Sequence, residues 1–352
     1  MQASSFTVDS EKPSASKRAA WADLCRVVAM FGVVLIHSCG ATFYQYGKVP
    51  IGDWLAANFL DSMSRCSVPL FVMISGAMLL KRGGQIYTLV NLVQRINKVL
   101  FPLLTWSALF LLYVSHNSGA QVDWWSVTRQ PAMYHLWFVY MIIGIYMMLP
   151  ICQAIFNTIL EREDLKKYLF MLWVIITCIP LYQPLPLLSV IQLSNFFGYG
   201  GYFLIGALIA SSSKDRISTL MWFLIFVISV LVTFALTWIF SERASAPVET
   251  AYQYFSPNVL VSTVAAFILI MRTKVSGRVA NNLKWISDRS FLIYFVHILA
   301  LEVVRYSNFI SVINRYTPML VTILIISIAT FIVSLVVAAF IRLVPGSQRV
   351  FG

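Results

Sequence analysis

Apolar residues gather at ten places along the chain in runs long enough to cross a bilayer. They lie near 19–41, 58–80, 97–115, 135–157, 167–183, 196–212, 218–240, 256–272, 290–307 and 318–343. A helical span needs about 20 such residues. The pattern therefore predicts an all-α polytopic membrane protein with about ten transmembrane helices. The sixth run is the least regular, because Pro184, Pro186 and the glycines at 198, 200 and 201 interrupt its approach. No small-residue cleavage site follows the first run, so it is expected to remain as a mature span. The polar residues 1–18 read as a disordered cytoplasmic tail, 19–343 as one transmembrane domain, and 344–352 as a short cytoplasmic C-terminal tail.

An even number of spans puts both termini on one side, and the basic residues say which. With the N-terminus in the cytoplasm, 19 of the 26 Lys and Arg residues fall in cytoplasmic segments and five outside. That asymmetry fits the positive-inside rule. Arg26 and Arg65 alone are left within spans. The net charge of +12 is thus mostly topology, and no nucleic-acid partner is expected.

Composition agrees with this class. The chain is 59% hydrophobic and 11% charged, about half the charged fraction of a soluble domain. Its mean hydropathy is +0.78. Cys25, Cys39, Cys66, Cys152 and Cys178 lie in or beside apolar segments without metal-ligand spacing, which reads as buried thiols rather than a disulfide framework or zinc.

The candidate chemistry begins in the first run, WADLCRVVAMFGVVLIHSCG from Trp21 to Gly40. Arg26 and His37 are eleven residues apart, about three turns plus 20°, so they share a helix face and lie roughly 16 Å apart along the axis. Ionisable groups inside a span are costly and usually face a cavity or a partner. Two on one stripe predict a polar channel enclosed by the helices, which we read as an active site. Arg26 falls near the cytoplasmic end and His37 nearer the outer end. A neutral imidazole within reach of a hydroxyl is a natural general base. Arg26 could instead snorkel to the headgroups or pair with Asp23.

Other polar residues have paired readings too. Arg95 and Lys98 at the entry to the third span either anchor it in the headgroups or add cation for a phosphate-bearing ligand. Arg65 either pairs with Asp61, one turn earlier, or touches substrate. Pro69, Ser75 and Gly76 permit a kink and close helix approach in the second span. His116 and His135 flank the 116–134 loop, and His297 lies within the ninth run. Trp137 and Tyr140 are either interfacial belt aromatics or a stacking surface for a sugar. No Gly-rich phosphate loop, Ser-His-Asp order or metal-ligand cluster is present. The few acidic residues argue against a metal-dependent glycosyltransferase.

Five stretches taken together resemble a known family. These are Arg26-(x)10-His37, SRCSVPLFVMISGAMLL from position 64, QRINKVLFP at 94–102, YHLWFVY at 134–140 and SFLIYFVH at 290–297. In that order, and over nearly the whole chain, they resemble the acyltransferase 3 family of integral-membrane O-acyltransferases. The resemblance implies an acyl-CoA donor taken from the cytoplasm and a sugar hydroxyl as acceptor, either on a cell-surface or on a lipid-linked saccharide. It implies that Arg26 and His37 are catalytic and that Arg95 and Lys98 hold the CoA phosphates. Family members commonly carry Arg-x-x-Arg at that last site, whereas this chain has Lys98, which cannot make the bidentate contact. Val27 likewise stands where Gly is usual.

The expected activity is O-acetyl transfer from acetyl-CoA, with no permanently bound cofactor and no metal, in a bacterial inner membrane. Ser75, Arg65, Trp137, His135 and His297 are expected on the substrate side. With few residues after the last span, transfer is expected to finish within the membrane domain. Two other readings use the same channel. One is a transporter or flippase for lipid-linked saccharide, with His37 and Asp61 as proton relays. No internal repeat relates 19–180 to 196–343, as transporter halves often would. The other is succinyl transfer on the same scaffold.

Overall fold

The computed structural model describes residues 20–84, 87–119, 121–182, 193–212 and 215–352. The 1–18 tail lies outside the described residues. Among the described residues there is no strand; helices are joined by turns and short 3₁₀ segments.

Helix α1 (Ala20–Phe43) is the hub of the bundle. It packs against α2 (Ile51–Ser64), α3 (Ser67–Leu79) and four later helices. Asp23 in its first turn complements the positive end of the helix dipole. The second apolar run is split into α2 and α3 at Arg65–Cys66. Pro69 explains the break, since it has no N–H for the Arg65 carbonyl and its ring crowds that group.

Helix α4 (Leu89–Ser118) starts on Thr88, whose side chain accepts from the Asn91 N–H, and stops at Gly119 with φ 70°. Helices α5 (Trp137–Met147) and α6 (Leu149–Ile159) bend by 61°. Pro150 accounts for that bend, because it cannot bond the Tyr146 carbonyl. Then come α7 (Glu163–Tyr182) and α8 (Leu193–Ser211), the latter broken at Gly198. Helices α9 (Thr219–Ala244) and α10 (Pro257–Arg272) pack together. The polar α11 (Gly277–Ser287) lies against α1. Helix α12 (Ser290–Arg305), α13 (Asn308–Tyr316), α14 (Met319–Ile341) and the single turn α15 (Ser347–Val350) complete the chain. Of these, α10, α11, α12 and α14 contact α1.

Small residues bring the central helices close. A Cβ on Gly76 would sit 1.8 Å from the Phe203 carbonyl oxygen, and one on Gly206 would sit 2.1 Å from that of Met73. Helices α3 and α8 therefore touch backbone to backbone, as in other membrane bundles. Gly32 does the same for α1 and α3, where a Cβ would fall 1.9 Å from Ser67 Oγ. Away from these seams, buried amides tie loops to helices. Asn258 donates to Thr233 Oγ1 at 2.8 Å and to the Ala251 carbonyl at 2.7 Å.

Among the described residues each of the ten apolar runs is mostly helical, the second and fourth divided between two helices, and the helices are unequal. Among the described residues six stretches are long and apolar enough to cross a membrane, with α2 and α3 taken together as one, or seven if the bent α5–α6 pair counts as one span. The others have visible reasons. Helix α7 opens with Glu163, Asp164, Lys166 and Lys167; the regular part of α8 covers only Gly198–Ser211; and α12 has 16 residues. The chain is an all-helical, multi-pass membrane protein.

Candidate active site

Helix α1 carries its two ionisable residues to different surroundings. At its beginning, Arg26 borders a cavity of about 290 Å³ together with Ser75, Lys98, Tyr146, Ser290 and Tyr294. The Arg26 guanidinium also lies 3.3 Å from Asp23. Ser75 belongs to α3 and donates to the Phe71 carbonyl at 2.7 Å, which turns its oxygen toward this space. Lys98 and Phe291 are shared with a second, wider basin of about 930 Å³. The two cavities thus adjoin at the foot of the bundle.

At the far end of α1, three of the four histidines come together. The His37 and His297 rings are 5.2 Å apart, as are those of His297 and His135. Tyr134 stands over His37 at 5.4 Å. His297 Nδ1–H donates to the Tyr294 carbonyl at 2.5 Å, so its Nε2 carries a lone pair, and that atom has no partner. Neither ring nitrogen of the buried His135 has a partner either. His37 is partly exposed, whereas His297 is fully buried. The Arg305 guanidinium donates to the carbonyls of His37 and Ser38 at 3.3 and 3.2 Å, which fixes this end of α1. His116 is exposed at the end of α4 and takes no part.

The expected channel along α1 is interrupted between these groups. Phe71, Phe138 and Tyr294 line the inner wall of the smaller cavity, and His37 does not border it. Tyr294 is the dividing residue. Its hydroxyl donates to the His135 carbonyl, and its ring is 5.6 Å from both His135 and His297. Tyr294 thus touches both the cavity and two of the histidines.

The remaining sequence candidates divide. Arg65 pairs with Asp61 at 2.5 Å and lies 3.9 Å from the centre of the Tyr252 ring, a buried arrangement with cation–π character. Asp61 Oδ1 and Arg65 Nε are buried without partners. Trp137 stacks on Tyr254 at 5.9 Å and meets Tyr199 at 5.7 Å. Neither Arg65 nor Trp137 borders the two cavities. Arg95 lies 5.1 Å from the Tyr87 ring and stays outside the basin, although Lys98 is one turn away. The expected Arg95–Lys98 pair therefore faces two different places.

Three residues that sequence reasoning passed over belong to this picture. Tyr294 lies one turn before His297 in the same SFLIYFVH stretch, so the i, i+3 spacing could have flagged it. Arg305 reads as an outer-loop cation and Tyr134 as part of YHLWFVY; no local signal sets either against His37. Among the described residues, no group of three His, Cys, Asp or Glu side chains is arranged to hold a metal ion.

Together the site offers an imidazole beside a second imidazole with an unpartnered Nε2, a cavity with a cationic mouth, and a buried carboxylate–guanidinium pair with unmet hydrogen bonds. Those groups suit the transfer of a group between an anionic donor and a hydroxyl. Comparison with known proteins found no curated protein and no solved structure that matches the chain. A family model described as an acyltransferase domain does match, over residues 19–339. With that match covering nearly its whole length, the chain belongs to the acyltransferase 3 family and is a membrane acyltransferase.

Proposed function

We propose that the protein moves an acetyl group from cytoplasmic acetyl-CoA to a hydroxyl of a cell-surface or lipid-linked saccharide, in a bacterial inner membrane. Its SRCSVPLFVMISG and YHLWF stretches resemble those of the enterobacterial-common-antigen O-acetyltransferase, which supports this reading. The observation that carries the reading is the line of Lys98, Arg26 and Tyr294 leading from a wide basin to the histidine cluster. The ten-span topology, with both termini cytoplasmic, goes with it. It rests on the distribution of Lys and Arg, 19 against five, and puts the Arg26 end in the cytoplasm.

In this scheme the nucleotide of the donor occupies the basin and the pantetheine arm enters past Arg26 and Ser75. Passage to His37 requires the Tyr294 ring to move aside. His37 takes the proton from the acceptor hydroxyl, and the oxygen adds to the thioester carbonyl carbon. The C–S bond then breaks, and the thiolate recovers the proton from the imidazolium, giving ester and CoA thiol. Attack by His37 itself, with an acetyl-imidazole formed and then opened by the sugar, uses the same groups. His297 presents its bare Nε2 beside His37 as a hydrogen-bond acceptor. On the acceptor side, Asp61 Oδ1 and Arg65 Nε offer one acceptor and one donor, the pair a sugar diol would satisfy. Trp137, with Tyr254 and Tyr199, supplies an aromatic face of the kind sugars stack on. No resident cofactor or metal enters any step.

The test is to incubate the purified protein with labelled acetyl-CoA and succinyl-CoA and to measure CoA release. Acetyl-CoA turnover that depends on His37 is expected. Preference for succinyl-CoA would change the donor, and turnover of neither would sink the scheme. Mass analysis of surface glycans from cells lacking the protein would then identify the acceptor.

A further inference from the structure

The wide basin has a wall that comes from the end of the chain. After α14 the backbone folds back beneath the bundle, and α15 brings Gln348 and Arg349 to the basin opposite Lys98. This return is held in place. The Trp106 indole N–H donates to the Phe351 carbonyl at 3.1 Å, the two rings pack 6.2 Å apart, and Gly352 lies against Phe291. Arg342, just past α14, borders the same space. It donates to the Asp288 carbonyl at 2.8 Å through Nη2, while its Nε–H is buried with no acceptor. Among the described residues, neither Lys98 nor Arg349 forms an ion pair. Three cations therefore border one basin, together with the amides Gln94, Asn97 and Gln348. A basin of about 930 Å³ is ample for a nucleotide, and its join to the narrower cavity at Lys98 and Phe291 leaves an exit for a thin arm.

We infer that Arg342 and Arg349, contributed by the folded-back C-terminal segment, bind the phosphates of the acyl-CoA together with Lys98, the role that the family resemblance gives to Arg95. The inference rests on the acyl-CoA reading above. Guanidinium groups can grip phosphate bidentately, which offsets the lysine at position 98. The segment also closes the basin from below, so nucleotide binding and the anchoring of Phe351 support each other.

The experiment uses the purified full-length chain and compares acetyl-CoA with acetyl-3′-dephospho-CoA. Wild type should prefer the first. Arg349→Gln and Arg342→Gln should each raise KM for acetyl-CoA about tenfold, with kcat little changed, and should shrink the preference for the 3′-phosphate. Arg349→Lys should recover part of the loss through charge alone. Arg82→Gln, at a cation that borders neither cavity, should match wild type. Because Arg342 also bonds backbone, equilibrium CoA binding to Arg342→Lys separates ligand contact from folding; weakened binding with an unchanged melting temperature is expected. Unchanged KM and unchanged preference in Arg349→Gln and Arg342→Gln, in an active enzyme, would overturn this inference alone. A wild-type protein that turns over no acyl-CoA would overturn it together with the acyltransfer scheme.

Discussion

The imidazole of His297 lies 5.2 Å from that of His37, and its Nδ1–H is committed to the carbonyl of Tyr294. That bond fixes the tautomer, so the nitrogen left over is an acceptor with nothing to accept from. A lone pair held beside His37 can accept from the imidazolium that forms when His37 takes the acceptor's proton. The same contact ties the histidine cluster to the residue that closes the cavity.

His37→Ala should lower acetyl transfer by about 100-fold or more, the usual contribution of a general base. Insertion and melting temperature should be little changed, since the residue is partly exposed and its backbone is held by Arg305. Near-wild-type transfer by this variant would count decisively against the mechanism.

Tyr294→Phe keeps the ring but removes its hydrogen bond to the His135 carbonyl. A bond of this kind contributes about 1 kcal/mol, so the ring should move aside more readily. CoA release without acceptor should rise about fivefold, as that energy implies. A rate that is unchanged or lower would mean Tyr294 does not control the passage.

Lys98→Arg supplies a fork for phosphate where the native side chain offers a point charge. KM for acetyl-CoA should stay level or fall. A large rise would remove Lys98 from the phosphate site.

The Asp61–Arg65 pair is buried and 2.5 Å long. Asp61→Asn leaves the guanidinium uncompensated and should cost about 3 kcal/mol in stability. The double variant Asp61→Asn with Arg65→Met should recover much of that loss, because neither charge then remains buried. Thermal unfolding in detergent would check this, and a double variant no more stable than the single would contradict it.

Gly76→Ala places a methyl where the Phe203 carbonyl oxygen already lies, 1.8 Å away. Forcing α3 and α8 apart should cost about 1–3 kcal/mol. A melting temperature equal to wild type would show that the seam is looser than described.

Much of the architecture was legible along the chain. Among the described residues each apolar run is mostly helical because burial in lipid demands local, internally bonded backbone. From sequence, Pro69 permits a kink, and the structure breaks the helix at Arg65–Cys66; the bend at Met148 beside Pro150 is not part of that reading, and Pro102 lies within an unbroken α4. What hydropathy overstated was the uniformity of the runs. Charges at the start of α7, the break in α8 and the short α12 leave helices that owe their place to neighbours rather than to length.

The sequence by itself determined that helices form and that Arg26 and His37 share α1. Each of these depends on residues within a few turns of one another. Only the tertiary structure decided that His135 and His297 join His37, that Tyr294 lies between two of them and the cavity of Arg26, and that Lys98 shares its basin with Arg342 and Arg349 while Arg95 lies by Tyr87. Those meetings are set by how helices pack side by side, and helical spacing within one segment carries no record of which residue faces it from another.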